Sequence, residues 1–260
     1  MSTTKLPPLE RYVRILELLA SFPDGMGLAD ISRMLDLPKT STHRLLGTLQ
    51  ESELIGMSPG AGNNYVLGKR VRRLAYLGAG TEWVDTVVRP HLIALAHATG
   101  ETCYLAKLDG LQVSSLLMEA PDTPWRGFVL PGKHMPPHAA ASAKAILAFQ
   151  SDATIDAALA PPLPKLASRT RTDPAMIREE YEAVRKQGYA TCLAEIDDGL
   201  AALGVPVPVP HLGVVYSLGV TGPLQRVVDK DLLHLVGIMQ DHAARVSAAL
   251  TAGYARRPDA

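Results

Sequence analysis

Cysteine is almost missing from this chain: Cys103 and Cys192 are the only two. Two thiols cannot build a disulfide framework, and the count suits a reducing compartment. Net charge is missing as well. Twenty-six Lys and Arg residues balance 26 Asp and Glu, for a pI near 7.1. Taken as an average, that excludes a histone-like polycation and an acidic solvating tail. No stretch approaches the ~18 uninterrupted apolar residues of a membrane span. The opening residues, MSTTKLPPLERYVRI, lack the apolar run of about 7–15 residues found in a secretory leader. The expectation is a soluble, cytoplasmic protein. No segment repeats. What is present is an ordinary globular composition, 47% hydrophobic and 20% charged over 260 residues, enough for one or two domains with a sizeable core.

The neutrality is uneven along the chain. Residues 1–77 carry ten Lys/Arg against seven Asp/Glu, a net of +3, and the remainder carries −3. The small residues 78–81 (GAGT) place a boundary between the two parts. Helical spacing of apolar residues runs over 9–22, 28–35 and 39–52. Pro23-Asp24-Gly25 stops the first helix, and Pro38 opens the third, where its missing N–H costs nothing. Two short β runs, 54–57 and 65–67, flank a Gly/Asn-rich turn and predict a hairpin. A further helix is expected over 69–77.

The larger part alternates differently. A helix is expected over 86–99, then strands at 102–108 and 112–118 around Asp109-Gly110, a strong hairpin signal. Five prolines between 121 and 137 predict loop or edge strand. Helices follow at 139–149 and 174–187, the latter capped by Thr172 or Asp173 and stopped by Gly188. Strands are expected at 189–192, 201–209 and 212–220, and a closing helix at 229–250. The Val/Pro alternation of 205–210 suits an edge strand. Strands and helices in this order predict an α+β fold.

Two short helices, a tight break and a hairpin form the winged helix-turn-helix layout. The second is the candidate recognition helix. Its opening presents Lys39, Thr40, Ser41, Thr42, His43 and Arg44 where such helices meet base edges and phosphates of double-stranded DNA. Arg44 has the fork that reads guanine. Asn63 and Asn64 lie in the wing. A net of +3 supplies few phosphate contacts, so a dimer or larger assembly is expected.

At this point the sequence resembles the IclR family of bacterial transcriptional regulators. The resemblance rests on LADISRMLDLPKTSTHRLLGTLQESELI and NNYVLG in the N-terminal part. In the C-terminal part it rests on LPGKHMPPHAAASAKAILAF, QGYATCLAEIDDGLAALGVPV and VVYSLGVTGP. It implies a winged helix-turn-helix domain at 1–68, a linker helix at 69–81, and a GAF-like effector-binding domain at 82–254 with a central antiparallel sheet flanked by helices. It implies dimers through the N-terminal region, commonly paired into tetramers. It also implies control of catabolic genes by a small carboxylic acid, often an aromatic one, with no cofactor.

The family's effector positions fall at Ala140, Ala141, Ser142 and Ala143, where the family usually has Gly in place of Ala143. Backbone N–H groups at that helix start are a reasonable carboxylate site. Cys192, Ala202, Gly219 and Thr221 occupy the other contact positions. Small residues at 202 and 219 suggest room for an aromatic or larger acid. Trp125 could cover a ligand and Arg126 could pair with its carboxylate. His134 and His138 have HxxxH spacing, but Pro136 and Pro137 break the helix that metal ligation would need, so His138 is read as a hydrogen-bonding group near the pocket. Cys192 as a nucleophile has no identifiable base. Glu195, Asp197 and Asp198 look like an acid/base set but read better as a solvated loop. The rival readings are an α+β enzyme acting on a small acid with an N-terminal docking domain, and a ligand-independent DNA-binding protein.

Overall fold

The computed structural model describes residues 7–58, 64–71, 74, 82–122, 132–210 and 212–255. The chain divides into two compact units between residues 79 and 80. The expected helix over 69–81 lies largely outside the described residues, although 69–71 and 74 are helical.

In the first unit, α1 (Pro8–Ser21), α2 (Leu28–Met34) and α3 (Lys39–Glu51) precede a hairpin of β1 (Ile55–Met57) and β2 (Tyr65–Leu67). Ile15 and Leu19 of α1, Ile31 of α2, and Leu45, Leu46 and Leu49 of α3 meet in one core with Met26 and Ile55. Pro38 serves as the N-cap of α3, as its fixed φ favours. Gly25 has φ +85° and packs beneath Val66 and Asn64, so a side chain there would be strained and crowded. A bridge between Met26 and Tyr65 ties the hairpin back to the loop between α1 and α2.

The second unit opens with α4 (Glu82–Thr99), which starts four residues before the apolar periodicity begins. There follow β3 (Thr102–Asp109), β4 (Gln112–Glu119), the short β5 (His134–Met135), α5 (Ala141–Leu147), α6 (Asp152–Ala158) and α7 (Pro174–Gln187). The chain then forms β6 (Ala190–Leu193), β7 (Leu200–Val209), β8 (Gly213–Pro223), α8 (Leu224–Val228) and α9 (Leu232–Ala255). The six strands form an antiparallel sheet in the order β5-β4-β3-β8-β7-β6. Helix α7 is capped by Asp173, which accepts from the Ala175 N–H at 2.9 Å, and stops at Gly188 with φ +77°. The short helices α6 and α8 carry too few apolar residues to register as periodicity. Each has one buried residue, Ile155 and Val227.

The edge-strand expectation for 205–210 agrees with the pairing: beyond Gly204, β7 pairs with β8 alone among the described residues. From Ala201 to Gly204 it is paired on both sides, with β8 and with β6. The prolines are tolerated because Pro206 and Pro208 lie beyond the last residue paired with β6. A missing N–H on that side breaks no ladder bond.

Candidate functional site

On α3, the residues of the polar run separate by face. Lys39, Thr40, His43 and Arg44 are exposed and Ser41 is half-buried. Thr42 is fully buried and donates from Oγ1 to the Pro38 carbonyl at 3.2 Å. It shares the helix face of Leu45, Leu46 and Leu49, so the expectation that it touches DNA is corrected: it packs inward. Asn63 lies outside the described residues. Asn64 is half-buried, and its amide donates to the Gly25 carbonyl at 3.4 Å, fastening the wing to the turn after α1. The exposed set on α3 presents two cationic side chains, a hydroxyl and an imidazole on one surface, a face suited to phosphates and base edges.

In the second unit, strand register sorts the other candidates. Cys192, Ala202, Thr221 and Thr102 form one row across β6, β7, β8 and β3. The neighbouring row is Ala190, Gly204, Gly219 and Tyr104. Both rows lie under the start of α5. A Cβ on Gly204 would come within 2.6 Å of the Ala141 carbonyl oxygen, so glycine lets the α5 backbone rest directly on the sheet. Ser217 Oγ of β8 donates to the Ser142 carbonyl at 3.1 Å and holds the same contact from the side. Ala141, Cys192 and Ala202 pack together with Ile196 and Leu200. The structure therefore brings Ala141, Ser142, Cys192, Ala202, Gly219 and Thr221 to one place. Ala143 is buried in the adjoining core.

Ser142 is fully buried, and its Oγ has no hydrogen-bond partner among the described residues. A buried hydroxyl left unpaired costs about 1–3 kcal/mol, so its position calls for a partner. The Tyr104 hydroxyl lies beside it. Burial pushes Tyr104 up to about 12, with Ser142 pulling part of the way back. Both groups stay protonated near neutrality and can donate. Burial also pushes Cys192 up to about 11, aided by the charge of Glu195. A thiol held protonated in this way is poorly suited to nucleophilic attack. Thr221 Oγ1 is already committed to the Ala201 carbonyl at 3.1 Å.

Several expectations change here. The space expected over Gly219 is filled: the Tyr104 ring lies on it, and any Cβ would collide with the ring. His134 sits exposed on β5, at the opposite end of the sheet from β6, and does not join the cluster. His138 is buried, with Nε2 bonded to the Pro164 carbonyl oxygen at 2.8 Å, so one ring nitrogen is occupied in holding a loop. Trp125 and Arg126 lie outside the described residues. Helix α5 has only seven residues and its N-cap, Ala140, supplies no side-chain acceptor, so its dipole is a weak anion anchor.

Glu195 is not in a solvated loop. It is buried and accepts from Lys144 Nζ at 2.6 Å. Lys144, itself fully buried, also donates to Glu180 Oε1 at 2.8 Å and to the Thr191 carbonyl at 3.0 Å. Arg171 completes the set with a 2.6 Å bond to the other Glu180 oxygen. This network fastens α5 to α7, β6 and the segment carrying Ile196. One lysine inside a run of alanines was the available signal, since an unpaired ammonium cannot be buried there. Asp197 and Asp198 have separate partners, the N–H groups of Gly199 and Ser168, and form no acid/base pair with Glu195.

Residues 8–56 match the IclR helix-turn-helix domain, and residues 82–248 match the bacterial transcriptional regulator IclR C-terminal domain. The chain belongs to the IclR family. It is 32% identical over 254 residues to the glycerol operon regulatory protein of Streptomyces griseus, covering 94% of this chain and 96% of that one. It is 30% identical to the HTH-type transcriptional regulator TtgV of Pseudomonas putida, with 84% and 82% covered. An IclR regulator from a Silicibacter species matches in structure with a TM-score of 0.62 at 27% identity, over 92% and 96% of the two chains. An IclR homologue from Microbacterium hydrocarbonoxydans, complexed with 4-hydroxybenzoate, has the same fold (TM-score 0.61, 24% identity, 94% and 99% covered). The protein is thus an IclR-type transcriptional regulator with a helix-turn-helix domain and a C-terminal effector domain, and not an enzyme.

Proposed function

We propose that this IclR regulator binds an operator through the exposed face of α3 and responds to a small organic acid held between Ser142, Tyr104 and the Cys192–Ala202–Thr221 row. The observation that carries the effector half is the buried, unpartnered Ser142 hydroxyl above a floor of small side chains. The relative complexed with 4-hydroxybenzoate supports an acid as the class. An effector shifts operator affinity only as far as it binds the two arrangements of the regulator unequally.

The domain limits proposed are 1–68, 69–81 and 82–254. The protein acts in the cytoplasm as a homodimer, with tetramers by further pairing. An apolar groove of about 270 Å³ on the first unit, lined by Leu9, Tyr12, Val13, Leu16, Leu49 and Leu54 among others, supports self-association. Among the described residues no helix is long and apolar enough to cross a membrane.

The test begins with genomic fragments captured on the full-length protein, whose shared sequence defines the operator. Affinity for that sequence is then measured with and without a panel of carboxylic acids. No change with any acid would leave a ligand-independent DNA-binding protein. Arg44→Ala is expected to weaken operator binding by roughly 1–3 kcal/mol and to relax preference at one base position. Thr42→Val, which keeps the buried shape, should leave affinity unchanged. Equal losses in both variants would remove the assignment of the exposed α3 face.

A further inference from the structure

We propose that Tyr104 decides which acids the effector site admits. Its ring closes the space over Gly219 against aromatic acids. Its hydroxyl joins Ser142 Oγ in donating hydrogen bonds to the polar end of a compact carboxylic acid. This rests on the reading of the Ser142 region as the effector site.

The argument starts from register. Tyr104 and Gly219 are direct cross-strand partners on β3 and β8. Across β8, Gly219 faces Gly204, so two glycines stand side by side. The first receives the Tyr104 ring and the second receives the α5 backbone at Ala141. The ring and the helix start therefore share one strip of sheet with no side chain between them. An aromatic acid lying flat on this strip would need the area the Tyr104 ring already covers. The next row, Cys192, Ala202 and Thr221, carries small side chains beneath Ala141, Ile196 and Leu200, which suits a compact acid better than a ring.

The polar chemistry agrees. Tyr104 is 3% exposed and Ser142 is fully buried. Both hydroxyls converge on the same spot, and no charged side chain of this chain forms a hydrogen bond with Ser142 Oγ among the described residues. A carboxylate accepts from two hydroxyl donors readily, and bonds from neutral donors to a charged acceptor are about twice as strong as neutral pairs. A ligand lacking that acceptor would leave the Ser142 hydroxyl with nothing to donate to, and a site built to hydrogen-bond rejects such analogues strongly.

The experiment uses the full-length wild type with Tyr104→Phe and Tyr104→Ala, probed by propionate, lactate, succinate, benzoate and 4-hydroxybenzoate. Thermal shift and titration calorimetry give the readout. Wild type is expected to respond to at least one of the three compact acids and to neither aromatic acid. Tyr104→Phe should keep that ranking while weakening the compact acid about tenfold, the loss of one charge-assisted hydrogen bond. Tyr104→Ala should gain a response to benzoate or 4-hydroxybenzoate. Should Tyr104→Ala not melt cooperatively, Tyr104→Leu clears the far half of the ring and tests the size limit. Aromatic acids binding wild type as tightly as the compact ones, or a ranking that ignores position 104, would overturn the proposal while leaving the effector site in place. Silence from all five acids across every variant would remove the effector site itself, and the proposal with it.

Discussion

Lys144→Met is expected to destabilise the C-terminal unit by about 3–5 kcal/mol, the range for stripping one partner from a buried ion pair. The methionine fits the volume, but the Glu195 and Glu180 carboxylates lose the ammonium that bonds both of them. Arg171 still serves Glu180; Glu195 has no such substitute in the network. The loss depends on pH in a definite direction. Burial already pushes the Glu195 carboxyl above its ordinary value, with Lys144 pulling back part of the rise. Removing the lysine raises it further. A group whose folded pKa lies above its unfolded one favours folding when protonated, and that stability disappears as pH climbs through the folded value. Urea titrations should therefore find the variant nearest to wild type at about pH 5 and furthest below it at about pH 8. An equal deficit at both would mean that Glu195 does not carry the charge assigned to it. Because the network also fixes the segment bearing Ile196, the variant should lose effector response before it loses the fold.

The second large effect has the opposite sign with pH. Glu101 is fully buried, and Arg226 bonds both of its oxygens at 2.7 and 2.6 Å. Lys230 adds a 2.7 Å bond and also caps the Thr99 carbonyl at 2.7 Å. Burial pushes Glu101 up, but Arg226 and Lys230 outweigh it and hold the carboxyl below its ordinary range. That stability is present above the unfolded carboxylate pKa and is lost as pH falls through the folded one. Glu101→Gln should cost about 2 kcal/mol near neutrality, less than the lysine variant. The reason is exposure: the Arg226 and Lys230 side chains are 35% and 31% accessible and can recover water. The gap between wild type and variant should narrow on acidification to about pH 4. A gap that widens there would show that the carboxylate, and not its partners, is the poorly compensated group.

Much of the first unit was legible in the sequence because its determinants are local. Pro38 opens α3, Gly25 turns the chain after α1, and apolar spacing marks each helix. Even the misplaced Thr42 had a readable sign: it stands three, four and seven residues before Leu45, Leu46 and Leu49, on the buried face. The second unit hid more, because its decisive contacts join distant residues. Lys144 meets carboxylates 36 and 51 positions away. Glu101 meets Arg226 across 125. Gly219 reads in one dimension as empty space. Only the register with Tyr104, which no local pattern encodes, turns that emptiness into a seat for a ring. The family motifs pointed to candidate effector positions but could not say which of them other side chains already occupy.

Pro206 and Pro208 matter for more than the local ladder. Beyond Gly204 the β6 side of β7 has no neighbouring strand among the described residues, a stretch where another chain could add itself to the sheet. Alternate residues of a strand aim their backbone groups the same way, and the two prolines remove successive donors from one side. The Pro208 carbonyl accepts from Ser247 Oγ of α9, which draws it away from visitors as well. Such a border resists fibre growth and domain swapping through strand addition. Copies of the chain would not be expected to join by strand addition along this stretch. Along this border the chain has given up the chemistry by which strands of separate molecules recognise one another.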